Sequence, residues 1–184
     1  MSNTQNPLRL RKKHGSGKPL QVSAADGLRL IEAQSVRNAI TVSLIVIVIF
    51  SVFLVSISSL TNRVFPWLTT LLGFALGHAI RLAGRGTDWR FPVIGAVAAI
   101  IGSLIANVSV GASVTAEGFG VGTLDVLRAV TSMTWPVFFD EVLTIADAIF
   151  ALTAAALAAF YANRRLTRQQ YHALRLWREE QLHD

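Results

Sequence analysis

The chain carries four long apolar stretches, at 39–60, 64–80, 91–112 and 138–161, with charge between and around them and only Asp140, Glu141 and Asp147 falling inside one. Crossing the ~30 Å hydrocarbon core of a bilayer takes about 20 apolar residues in a helix rising 1.5 Å per residue. Three stretches reach that length, and the second sits at the short end of the range. The pattern predicts an all-α integral membrane four-helix bundle with amphipathic helical extensions at both ends. A hydrophobic content of 52% and a mean hydropathy of +0.49 agree and argue against a soluble globular chain. Three regions are expected: a flexible basic cytoplasmic segment at 1–22, a four-span membrane domain at 23–161, and a cationic amphipathic cytoplasmic tail helix at 162–184. The first stretch opens only at Ala39 and lacks a small-x-small cleavage site, so it reads as a retained anchor.

Charge orients the spans. Arg9, Arg11, Lys12, Lys13, Lys18, Arg29 and Arg37 precede the first, and Arg81, Arg85 and Arg90 lie between the second and third. Arg164, Arg165, Arg168, Arg175 and Arg178 follow the fourth. Only Arg63 and Arg128 fall elsewhere. Lys and Arg near span ends mark the cytoplasmic side, so both termini and the 81–90 loop are expected there. The same pattern accounts for the pI of about 10.8 without nucleic acid as a partner. The cluster Arg9, Arg11, Lys12 and Lys13 suits anionic lipid headgroups, at about 1 kcal/mol per charge.

Local signals refine the spans. Ser23-x-x-Asp26 has the form of a capping box, predicting a short helix over about 24–37. Pro66 and Trp67 open the second span, where proline suits a first turn and tryptophan an outer interface. That span contains Gly73-x-x-x-Gly77, and the third contains Gly95-x-x-x-Ala99 and Ala98-x-x-x-Gly102-x-x-x-Ala106. Small residues four apart clear one helix face so that two backbones can approach. The two spans, joined by a short loop, are therefore expected to pack as a tight antiparallel hairpin. A further amphipathic helix is expected over about 123–132, and Trp135 is expected to anchor the return to the membrane.

Asp147 is the outstanding polar residue. In a continuous fourth span it would lie roughly 13 Å inside the outer boundary. An insertion penalty of at least ~2.5–3.5 kcal/mol should turn it toward the bundle or water. Asp140, Thr144 and Asp147 would share one face of that helix. Asn107, near the outer end of the third span, is placed at comparable depth, and His78 nearer the cytoplasmic end of the second. These residues either line a proton or cation path or hold helices together, an Asp147–Asn107 contact contributing ~1 kcal/mol.

Other chemistries lack their residues. There is no cysteine, which excludes disulfides, thiol redox centres and thiolate metal sites. His78 is the one histidine within a span, so no pair is available for a haem. No His-x-x-x-His or Glu-x-x-His pair offers a metal site, and no Gly-x-Ser-x-Gly elbow is present. No catalytic residue, metal or cofactor is expected, and the chain is read as non-enzymatic.

The run from Leu72 to Asp88, LGFALGHAIRLAGRGTD, resembles a recurrent segment of small bacterial inner-membrane proteins to which no activity is attached. There a glycine-rich span ends in aromatic-Ala-(Ile/Val)-Arg, followed by Gly-(Lys/Arg)-Gly-x-Asp. The likeness covers about residues 70–108, with a looser echo in the fourth span, and departs at His78, where the pattern has tyrosine. It implies a bacterial inner membrane and a four-helix unit. The expected function is that of a small subunit or scaffold packing through Gly73, Gly77, Gly95 and Gly102 against itself or a larger membrane complex. The alternative is an oligomeric small transporter or channel using Asp147.

Overall fold

A computed structural model describes residues 23–130 and 134–182. The basic cluster at Arg9, Arg11, Lys12 and Lys13 lies outside the described residues. Those described form α1 (Ala24–Glu32), α2 (Val36–Thr61), α3 (Thr69–Gly84), α4 (Arg90–Phe119), α5 (Thr123–Ala129), α6 (Trp135–Val142), α7 (Ile145–Ala162) and α8 (Arg168–Gln181). A 3-10 turn, Pro66–Leu68, leads into α3. No strand occurs among the described residues.

Three helices, α2, α4 and α7, are long and apolar enough to cross a membrane. At 1.5 Å per residue, the 26 residues of α2 span about 39 Å, the 30 of α4 about 45 Å and the 18 of α7 about 27 Å. The second apolar stretch does not make a fourth helix of that length. Pro66 lacks an amide hydrogen and opens the 3-10 turn, so α3 starts only at Thr69 and its 16 residues reach about 24 Å. The Thr69 hydroxyl donates to the Pro66 carbonyl at 2.6 Å and closes that start.

The four helices α2, α3, α4 and α7 pack side by side. One face of α2 is buried, running Ala39, Ser43, Ile47, Ser51, Leu54, Ser58. Its other faces expose Leu44, Ile45, Val48, Ile49 and Val52, which a lipid environment accommodates and water does not. The centre is closed by Leu72, Leu76, Ala99, Ala154 and Ala158, each with no exposed surface.

Glycine sets the tightest contacts, and it does so against a different partner from the one expected. A β-carbon on Gly73 would fall on the Ala154 backbone, and one on Gly77 would meet Ala158 and Tyr161. Gly95 of α4 faces Ala158 and Ala162, while Gly102 faces Ile47 and Leu72. The small-residue faces of α3 and α4 therefore converge on the alanine run of α7 and not chiefly on each other. Glycine opposite alanine removes side-chain bulk from both helices, so their backbones close in. The matches of Gly73 with Ala154 and Gly77 with Ala158 make α3 and α7 run in the same direction.

The first and last described helices, α1 and α8, pack together at one end of this unit. α1 stops at Glu32, short of the expected 37, because Ser35 begins a separate helix by accepting from the Asn38 amide at 3.2 Å. α7 stops at Ala162, and Thr167 caps α8 by accepting from the Gln170 amide at 3.3 Å. The tail helix folds back on α1, where Gly27 lies against Ala173 and Trp177. Three hydrogen bonds tie both linkers to the α3–α4 turn. The Ser35 amide donates to the Gly84 carbonyl (2.9 Å), the Arg164 amide to Gly86 (2.9 Å), and the Gln34 side-chain amide to Thr87 Oγ1 (2.8 Å). Gly86 carries no side chain because the buried Phe91 ring occupies that space. On the surface of α8, the hydrogen bond from Arg175 Nε to Glu179 (2.8 Å) holds that guanidinium above its ordinary value.

Candidate functional site

The fourth apolar stretch is broken. α6 ends at Val142, Leu143 and Thr144 are extended, and α7 begins at Ile145. The break arises from side-chain competition with the helix ladder. Thr144 Oγ1 accepts from the Asp147 amide at 3.3 Å, while the Asp147 carboxylate accepts from the Thr144 amide (2.9 Å) and hydroxyl (2.6 Å). This is a reciprocal capping box, and it starts a helix where the apolar run alone would continue one. Asp147 is thus the third residue of α7, not a residue nine positions deep in an unbroken span. Its carboxylate faces the positive end of the α7 dipole.

The break also undoes the expected polar stripe. Asp140 lies on α6, exposed beside Pro136, Val137, Phe139 and Leu143, away from Asp147. Asn107 does come to Asp147. The two residues, with Thr144, line both of two adjoining clefts between α4 and the break. The larger, of 410 Å³, is walled by Val64, Pro66, Val110, Gly111 and Val142. The smaller, of 180 Å³, runs inward past Ser103, Leu104, Leu143 and Ala151. No hydrogen bond joins Asn107 to Asp147 among the described residues.

Asp147 is 6% exposed and Ser103 1%. The Ser103 hydroxyl has no hydrogen-bond partner among the described residues. Sequence reading did not single out Ser103, since a lone serine in an apolar helix ordinarily bonds back to its own backbone. Ser43 does so, donating to the Ala39 carbonyl at 2.7 Å. The break itself did have a signal. Thr144-x-x-Asp147 repeats the spacing of Ser23-x-x-Asp26, whose amide and hydroxyl bond Asp26 at 3.3 and 3.1 Å.

His78 belongs to a different place. Its Nδ1 donates to the Phe74 carbonyl at 3.1 Å, and its ring lies 4.3 Å from that of Phe74 and 4.9 Å from that of Tyr161. Between His78 and the Asp147 cleft stand Leu72, Leu76, Ala154, Ala155 and Ala158. The polar residues expected to form one path are therefore separated by apolar packing.

No family model, curated protein or solved structure matches the chain.

Proposed function

We propose that the chain is a non-catalytic, multi-pass protein of a bacterial inner membrane that serves as a small subunit or scaffold of a membrane complex. Both termini and the α3–α4 turn are cytoplasmic, and α3 with its 3-10 turn completes a fourth, short crossing. The basic segment around Arg9–Lys13 rests on anionic headgroups. The observation that carries this reading is the closed apolar centre: alanine and leucine fill the space between the outer cleft and His78. Four helices packed in this way leave the outer faces as the functional surface. The clustering of Arg29, Arg37, Arg81, Arg85, Arg90, Arg164 and Arg165 about one end of the bundle supports the orientation.

Purification in mild detergent after cross-linking in the native membrane tests the reading. A stoichiometric larger membrane partner is expected. A homo-oligomer that moves protons or cations across proteoliposomes would overturn it. That outcome belongs to a second reading, an oligomeric transporter, favoured by the helix break beside Asn107 and Asp147. Broken helices in membranes occur where backbone lines a cavity. Asp147→Asn separates the two: a scaffold keeps its assembly with a small stability loss, whereas a transporter keeps assembly and loses flux.

A further inference from the structure

We propose that the cleft beside the α6–α7 break binds an ammonium group carried on an apolar tail. The polar end of the site has acceptors left over. Asp147 Oδ2 receives both Thr144 donors, while Oδ1 receives none among the described residues. The Ser103 hydroxyl is buried and unpartnered, one turn along α4 from Asn107, whose side chain makes no hydrogen bond among the described residues. Asp147 and Asn107 line both clefts, so a carboxylate oxygen and an amide carbonyl are placed to accept from two of the three donors of an ammonium.

Charge selects the sign of the ligand. Among the described residues no lysine or arginine lines either cleft, and an anion would face the Asp147 carboxylate. The C-terminal end of α6 and the N-terminal end of α7 meet at the break with opposite partial charges, so the Asp147 carboxylate sets the sign. Size selects the tail. A bare cation would leave most of the 410 Å³ cleft unfilled, and the wall around Val64, Pro66, Val110 and Val142 is apolar. Sites for small organic ligands share this make-up, a mostly apolar wall with few placed polar groups. Two sources supply such a group, a lipid with an amine headgroup or a soluble lipophilic amine. The inference is independent of the subunit reading, because it concerns occupancy of the cleft and not capture of a partner.

The test is thermal melting of the full chain in maltoside detergent, titrated with octylammonium, with octanol and octanoate as uncharged and anionic controls. Octylammonium is expected to raise the melting temperature saturably, and the controls are not. Asn107→Leu is expected to weaken binding about tenfold, the effect of losing one hydrogen bond to a charged group. Ser103→Ala, which removes a hydroxyl closed off from the cleft, should leave binding within about twofold. Both variants leave the α7 cap intact, so they read binding where Asp147→Asn could also fray the helix. The same titration in nanodiscs separates the sources. Displacement by phosphatidylethanolamine, but not by phosphatidylglycerol, assigns the cleft to a lipid headgroup; no displacement assigns it to a soluble amine. Equal stabilisation by octanol or octanoate, no response to octylammonium, or unaltered binding by Asn107→Leu overturns the proposal.

Discussion

The two ends of α7 are built on opposite principles. Its C-terminal part presents Ala154, Ala158 and Ala162 to Gly73, Gly77 and Gly95, so that backbones close in. Its N-terminal end begins at a break, held by a threonine and an aspartate, beside an open cleft. One end gains by close van der Waals contact over many atoms, the other by a few hydrogen bonds that stop the chain from continuing as helix. The difference teaches that uniform hydrophobicity along an apolar run does not imply uniform structure. Two side-chain oxygens, Thr144 Oγ1 and Asp147 Oδ2, decide where the helix starts, and small residues decide what it touches.

Substitutions can break this contrast, and the C-terminal seam should respond most. Gly73→Leu places a branched side chain where the Ala154 backbone lies, and a loss of about 3 kcal/mol or more is expected. Detergent-induced unfolding followed by circular dichroism measures it. Phe91→Ala, beneath the α3–α4 turn, empties a site only 1% exposed and should cost about 3 kcal/mol in the same assay. At the N-terminal end the effects shrink to those of a helix cap. Thr144→Ala or Asp147→Ala should each cost about 1 kcal/mol. The double variant should cost clearly less than the sum, because both act through one box. Thr153→Ala lies on an exposed face of the same helix, where the hydroxyl bonds only the Ile149 carbonyl. It should stay within about 0.5 kcal/mol. Parity between Gly73→Leu and Thr153→Ala would show that α3 and α7 do not meet through Gly73.

Much of this architecture is legible in the residue pattern, and the failures have specific causes. α2 and α4 declare themselves by their long apolar runs, although α4 continues past the expected end at 112 to Phe119, where Gly120 stops it. The tail helix and α5 follow from amphipathic spacing, although α5 ends at Ala129, short of the expected 132. The shortness of α3 is harder to see, since hydropathy counts Val64–Leu68 equally with helical residues although Pro66 opens a 3-10 turn there. The break at Thr144 was hidden by the apolar residues on either side, even though its Thr-x-x-Asp spacing matches the cap read correctly at Ser23. The partner of Gly73 could not be read at all. A small-residue face announces close approach but not to which neighbour, and the alanine run of α7 and the glycines of α4 were equally thin. At the candidate site, Asn107 and Asp147 were paired by depth, but Asp140 and His78 were assigned to the same path by assuming one unbroken helix.

The hydrogen bonds at Gly84, Gly86 and Thr87 give the molecule a mechanical knot. Whatever grips α8 also grips α1, and through Ser35 and Arg164 the load arrives at the bend joining the two central helices. A pull on α1 or on α8 is thus delivered to one spot, and the two helices behave as a single handle.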